Sequence, residues 1–192
     1  MNHVKSLIIL SGISAILSLF ALLFPGIASA SALVIGESLG ASCYQEAKQG
    51  RSGREAIAIC NSAIDNGLMT KTDKAATYVN RGIIRSTSGD LAGAISDYDK
   101  ALQINPDMAE AFANRGTVFI RQENYAKALT ELDRALSLTL EQPAAVYYNR
   151  GIVHERIGDL SSAYKDYLKA TELKPNWQQP KTELIRFSVI SD

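Results

Sequence analysis

An all-α solenoid of stacked helical hairpins is the fold class this sequence predicts, on three observations. The chain matches itself at an offset of 34 or 35 residues, which brings Gly82, Gly116 and Gly151 into register. Alanines recur on the same period at Ala94, Ala128 and Ala163, and again at Ala101, Ala135 and Ala170. Turn chemistry, Ser88-Gly89-Asp90 and Ile157-Gly158-Asp159, separates the glycine half of a unit from its alanine half. A fixed period of about 20 to 50 residues is the mark of a repeat array, in which each hairpin buries its apolar face only against its neighbours.

The first element stands apart from the repeats. Lys5 is the only formally charged side chain in residues 1–30; Leu7 to Phe24 is largely apolar, Pro25-Gly26 interrupts it, and Ala28-Ser29-Ala30 follows. That is the layout of a secretory signal peptide, with cleavage expected after Ala30 and Ala32 as the nearby second choice. The rival is a retained membrane anchor. Its apolar run contains Ser11, Gly12, Ser14 and Ser18, and is short against the roughly 20 residues that span a bilayer. No cysteine lies near the cleavage region to take a lipid.

Residues 31–73 hold a degenerate hairpin and a connector. Ala56, Cys60 and Ala63 reproduce the spacing of alanine, large residue and alanine, so Glu55 to Asp65 reads as a second helix. Its partner is Leu39 to Lys48, joined to it through the helix-stopping run Gln49-Gly50-Arg51-Ser52-Gly53. Extra residues around Asn66 to Thr72 then lead into the regular array. Cys43 falls one residue before the glycine slot and Cys60 in the large-residue slot opposite, so a disulfide is feasible within this hairpin. Two buried free thiols are the other reading. The wide spacing is unlike that of catalytic Cys-x-x-Cys pairs.

Three regular units follow, at about 74–107, 108–142 and 143–176. Tyr78, Phe112 and Tyr147 precede each glycine by four residues, and Tyr98, Leu132 and Tyr167 follow the first alanine by four. Antiparallel helices approach closely where one offers a glycine and the other a small residue, so Gly82 is expected to face Ala94 or its neighbours one turn on. The larger rings are expected to fill the wider gaps. In the middle unit Gln122-Glu123-Asn124 replaces the glycine turn, and either strain or a different turn type is expected there. An extra residue in the stretch from Ser137 to Pro143 predicts a longer connection to the third unit.

These positions resemble the tetratricopeptide repeat, in which a bulky residue and a glycine mark the first helix of each pair and alanine, aromatic and alanine mark the second. The resemblance covers about half of the chain. After Pro175, Trp177 and the run Pro180 to Ile190 predict a last helix over residues 177–192, with Leu184, Ile185 and Phe187 among its apolar contacts. A terminal repeat needs a cover, so this reads as a cap, the alternative being a partner-binding tail.

Function is expected on the first helices, which in the resembling family line a concave face. The resemblance places Asn80, Asn114 and Asn149, each two residues before the glycine, where a bound peptide is contacted. An amide donates and accepts, which suits an extended backbone. The other reading bonds these asparagines to the neighbouring repeat. Helical spacing adds Ile83, Thr117 and Ile152, then Tyr148, with Arg121 and Arg156 as a positive edge. The family's lysine-rich clamp for a C-terminal carboxylate is missing, so a chaperone tail is not the expected ligand. Arg81, Arg115 and Arg150 each have an acid 16 residues on, at Asp97, Glu131 and Asp166. A repeated salt bridge, between the helices or to the next repeat, is expected ahead of an anion-binding row.

Charge and motif content narrow the function classes. The chain has 20 basic and 20 acidic side chains in 192 residues, so nucleic acid is not an expected partner. Beyond residue 30 the sole histidine is His154, in the slot that holds Arg85 and Phe119 elsewhere, where packing is its expected role. No phosphate loop, nucleophile elbow or metal spacing is present, so no catalytic residue, cofactor or metal is expected. The reading is a non-catalytic scaffold or adaptor that binds a protein or peptide, exported to a bacterial envelope and most simply periplasmic. Its alternatives are an envelope assembly factor anchored in the inner membrane by an uncleaved N-terminus and a structural subunit of a larger complex.

Overall fold

The computed structural model describes residues 39–66 and 68–187, with two short strands, β1 (Leu7–Ile8) and β2 (Ser188–Val189), paired antiparallel. Apart from β1, the N-terminal segment with its cleavage positions lies outside the described residues. The rest is helical: α1 (Leu39–Lys48), α2 (Arg54–Asp65), α3 (Lys71–Thr87), α4 (Leu91–Ile104), α5 (Ala109–Arg121), α6 (Tyr125–Ser137), α7 (Ala144–Arg156), α8 (Leu160–Leu173) and α9 (Gln178–Ile185). Among the described residues no helix is long and apolar enough to cross a membrane. Helices α1 to α6 belong to one compact unit, residues 29–142, and α7 to α9 with the strand pair belong to another, which takes in residues 143–192.

In the first unit the hairpins are α1–α2, α3–α4 and α5–α6. The first helices adjoin one another, α1 on α3 and α3 on α5, while α2 and α4 each lie against the first helix of the next hairpin. Cys43, Cys60, Val79, Ile84, Tyr98 and Val118 share one core. The glycines explain how the paired helices come so close. A Cβ on Gly82 would stand 2.5 Å from Tyr98 Cε1, and one on Gly116 would stand 3.0 Å from Leu132 Cγ. The side chain one turn beyond the alanine therefore lies directly on the glycine backbone and does not fill a wider gap elsewhere. The small alanines Ala94 and Ala128, both fully buried, complete the close approach.

The turns repeat one design. In each, the residue in the glycine slot donates to a carbonyl three residues back and the next residue donates to one five back: Gly89 to Ser86 with Asp90 to Arg85, and Glu123 to Ile120 with Asn124 to Phe119. The pattern closes a helix with a left-handed residue. Gly89 has φ 89° and Glu123 φ 57°, so the middle unit keeps the turn and accepts the strain of a side chain there. Asp90 and Asn124 then cap α4 and α6 by accepting from Gly93 and Lys127 N–H. Four residues, 105–108, join α4 to α5, whereas six, 138–143, separate α6 from α7.

The degenerate hairpin is cross-linked by a Cys43–Cys60 disulfide, with Cα atoms 4.8 Å apart. Both sulfurs are fully buried, so the bond joins α1 to α2 from inside the core.

In the second unit α7 and α8 pair as the earlier hairpins do, with Tyr167 Cε1 2.7 Å from where a Gly151 Cβ would lie. Helix α9 packs on α8. It starts at Gln178 and stops at Ile185, several residues short of the expected Ile190, with Ser188 and Val189 extended. Leu184 and Phe187 pack on the core as expected. Ile185 does not: it is 82% exposed, because its position turns it off the buried face that Leu184 occupies.

Candidate interaction site

Each of the three regular hairpins is built around the same ionic clamp. Arg81 donates through Nε and Nη2 to the two carboxylate oxygens of Asp97, at 3.0 and 2.7 Å. Arg115 makes the same fork to Glu131, and Arg150 to Asp166 at 2.8 and 2.8 Å. The third nitrogen of two of these arginines reaches backward: Arg81 Nη1 to Asn61 of α2, Arg115 Nη1 to Asp99 of α4. The clamp therefore joins helices within a repeat and ties that repeat to the preceding one. Each guanidinium also lies over the bulky residue of its own helix, Tyr78, Phe112 or Tyr147, at 5.4 to 5.5 Å from the ring centre. These residues act as structural ties, and Asp97 is fully buried between Arg81 and Arg85.

The residues expected at a ligand surface are placed as follows. Asn80 and Asn114 sit on the adjoining helices α3 and α5, both buried, as are Ile83 and Thr117. Asn114 Nδ2 donates to the Glu110 carbonyl, and Thr117 Oγ1 to that of Ala113. Arg121 reaches across from α5 to α3, where Nη1 donates to the Ser86 carbonyl and hydroxyl. That cation ties two first helices together. In the second unit Asn149 is buried on α7, Ile152 is partly buried and Arg156 is exposed.

Tyr148 lies beneath the cap. Its ring is 4.9 Å from that of Trp177 and 5.7 Å from that of Tyr167. Burial, then the neighbouring Glu183 carboxylate, pushes the Tyr148 phenol up to about 12. Burial likewise raises Tyr167 and Tyr98 far above the ordinary phenol value and lifts the Glu183 carboxyl. Tyr167 donates to Glu155 at 2.8 Å, while Arg186 bridges Glu155 and Glu183. This network fastens α9 down on the third hairpin. None of it was legible beforehand, since Tyr148 read as a groove residue and Arg186 carries no repeat register.

One slot differs among the repeats. Arg85 in the first contacts Asp97 and Asp90 at 2.8 and 3.7 Å. His154 in the third faces the equivalent pair, with Nδ1 3.6 Å from Asp159 and Nε2 3.8 Å from Asp166. Its imidazole is thus packed between two carboxylates. In the second repeat the slot holds Phe119, with the Lys127 ammonium 5.4 Å from its ring centre. Among the described residues no group of three histidine, cysteine or acidic side chains is placed to hold a metal.

Comparison with known proteins agrees with this architecture. The family description "TPR repeat" matches residues 87–123, and "Tetratricopeptide repeat" matches residues 113–176. No curated protein sequence matches the chain significantly. Among solved structures, the first TPR of Spaghetti (RPAP3) bound to an HSP90 peptide, SRMEEVD, is 26% identical; the match covers 62% of this chain and 94% of that one, with a TM-score of 0.57. YrrB, described as a TPR protein with an unusual peptide-binding site, is 25% identical over 65% of this chain and 62% of its own, TM-score 0.58. MamA is 21% identical over 78% and 82%, TM-score 0.62, and is similar in fold.

Proposed function

Since residues 87–176 make this chain a tetratricopeptide-repeat protein, we propose that it is an exported, non-catalytic interaction module that holds a peptide or one face of a partner protein on its first helices. The observation that carries the reading is the side-by-side stacking of α1, α3 and α5. It sets residues of equal register, Asn80 with Asn114 and Ile83 with Thr117, on successive helices. These side chains are buried at the base of the stack, and the regular spacing of the helices above them is what a partner with its own repeating backbone groups would meet. Peptide binding by similar repeats, in the HSP90-peptide complex and in YrrB, supports it.

Export is supported by the N-terminal layout around Lys5, Leu7 to Phe24 and Ala28-Ser29-Ala30. The buried disulfide fits an oxidising compartment such as a periplasm. The same apolar segment, left uncleaved, is the basis of the second reading, an envelope assembly factor held at the membrane. N-terminal sequencing separates the two: a chain beginning at Ser31 supports soluble export, and Met1 recovered in a membrane fraction supports tethering.

Affinity capture from the native extract tests the binding surface, with Asn80→Ala, Asn114→Ala and Asn149→Ala combined as the control. Helical content by circular dichroism establishes that the control is folded. A partner recovered by the native chain and lost from the folded control supports first-helix binding. Equal recovery on both contradicts it.

A further inference from the structure

A groove of about 520 Å³ opens between the second helices α4 and α6, floored by Arg115 and Phe119 of α5. That volume is in the range of sites that hold small ligands or a few residues of a peptide, roughly 300 to 1,000 Å³. Its walls are second helices, and it is a different surface from the first-helix row discussed above.

Its chemistry is peculiar to the second of the three regular repeats. One repeat earlier the residue in register with Phe119 is Arg85, whose guanidinium contacts Asp97, Asp90 and the Gly93 carbonyl. The residue in register with Lys127 is Gly93. So where the first repeat places a neutralised ion cluster, the second places an aromatic floor and a new cation, and these two touch. Ile95 and Ala126 extend the apolar floor. Lys127 is exposed, and among the described residues no carboxylate forms a salt bridge with it.

The two ends of the groove differ in charge. At one end Arg115 is shared by two carboxylates, Asp99 and Glu131, which leaves that cluster one charge negative. At the other end stand Lys127 and the first turn of α6, whose dipole is positive there. Thr130 is turned to the Ala126 carbonyl and offers its hydroxyl proton to its own helix. Recognition therefore falls to the Phe119 ring and the Lys127 ammonium. We propose that this groove is a second docking site, for a partner segment in which a bulky apolar side chain lies beside a carboxylate. The apolar group packs on Phe119, Ile95 and Ala126, and the carboxylate pairs with Lys127.

The test is an NMR titration of the full chain with three capped dipeptides: Ac-Phe-Glu-amide, Ac-Phe-Gln-amide and Ac-Phe-Lys-amide. The glutamate probe is expected to shift the amide signals of Ile95, Phe119, Ala126 and Lys127 in a saturable way, and to bind about tenfold more tightly than the other two. Phe119→Arg, which installs the first-repeat residue, is expected to abolish those shifts, and Lys127→Glu to transfer the preference to the lysine probe. Lys127 is exposed, so that variant decides the matter if Phe119→Arg loses helicity. Equal response to glutamate and glutamine, shifts confined to α3 and the first-helix side of α5, or no saturable shift up to about 10 mM would overturn the proposal. Apart from shifts confined to α3 and the first-helix side of α5, which would put the probe on the first-helix row, these outcomes leave binding at the first helices to the capture experiment.

Discussion

Replacing Gly82 and Gly116 by alanine, one at a time, separates two contacts that look alike in sequence. The Gly82 Cβ would meet the Tyr98 ring at 2.5, 2.9 and 3.0 Å. Carbon atoms rest at about 3.5 to 4.0 Å, so a rigid ring would have to retreat by about 1 Å. Tyr98 is 1% exposed and has nowhere to go. Overpacking of this kind costs about 2 to 3 kcal/mol, and the better helix propensity of alanine offsets about 0.9 of it. Gly82→Ala should therefore destabilise the protein by about 1 to 2 kcal/mol, lowering the melting temperature by about 3 to 6 °C for a chain of this size. At Gly116 the nearest atoms are Leu132 Cγ at 3.0 Å and Cδ2 at 3.1 Å. These contacts, with Glu131 Cβ at 3.2 Å, are short by only a few tenths of an ångström, so overpacking of about 1 kcal/mol is nearly cancelled by the propensity gain and the net effect is close to zero. Thermal unfolding followed by circular dichroism measures both. Equal losses at the two sites, or a stabilised Gly82→Ala, would refute the claim that the aromatic ring is stacked on the glycine backbone.

Other consequences are as direct. Asp97→Ala should cost about 3 to 5 kcal/mol in chemical denaturation, because it strips two guanidiniums of a fully buried carboxylate; a loss under 1 kcal/mol would show the clamp to be ornamental. Glu123→Gly, at φ 57°, should stabilise by about 1 kcal/mol, seen as a higher denaturant midpoint. Reducing the Cys43–Cys60 bond, which spans 17 residues, should cost about 3 kcal/mol in the chain-entropy account, measured by melting with and without reductant. The Asp159 carboxyl is held below its ordinary value chiefly by hydrogen bonds from Ser162. A depressed carboxylate contributes stability above its unfolded value, near pH 3.9, that is lost as pH falls through the folded one. Asp159→Asn, a cap that does not titrate, should flatten that acid limb of the melting profile, and an unchanged limb would assign it to other groups.

Much of the fold was legible because close packing writes small residues into the chain at the repeat period. Gly82, Gly116 and Gly151, with their alanine partners, fix the hairpins, and turn residues such as Gly89 and Asp90 fix where each helix stops. The 16-residue pairing of Arg81 with Asp97 was readable for the same reason, since a tie repeated in register needs a repeated partner. What escaped were contacts outside that register. Arg81 to Asn61 and Arg186 to Glu155 join elements whose spacing no period determines. The burial of Tyr148 under Trp177 depends on how the cap docks, and helical spacing gives only the direction of a side chain, never what covers it. The α4–α6 groove arises where Phe119 departs from the pattern, a substitution visible in the sequence whose consequence depends on Lys127 across the gap.

The central claim, that the stacked first helices are a binding surface, is tested most directly by the capture experiment on the folded asparagine triple variant. The account predicts a partner retained by the native chain and released by that variant, with helical content unchanged. The same partner recovered in equal yield from both would contradict it.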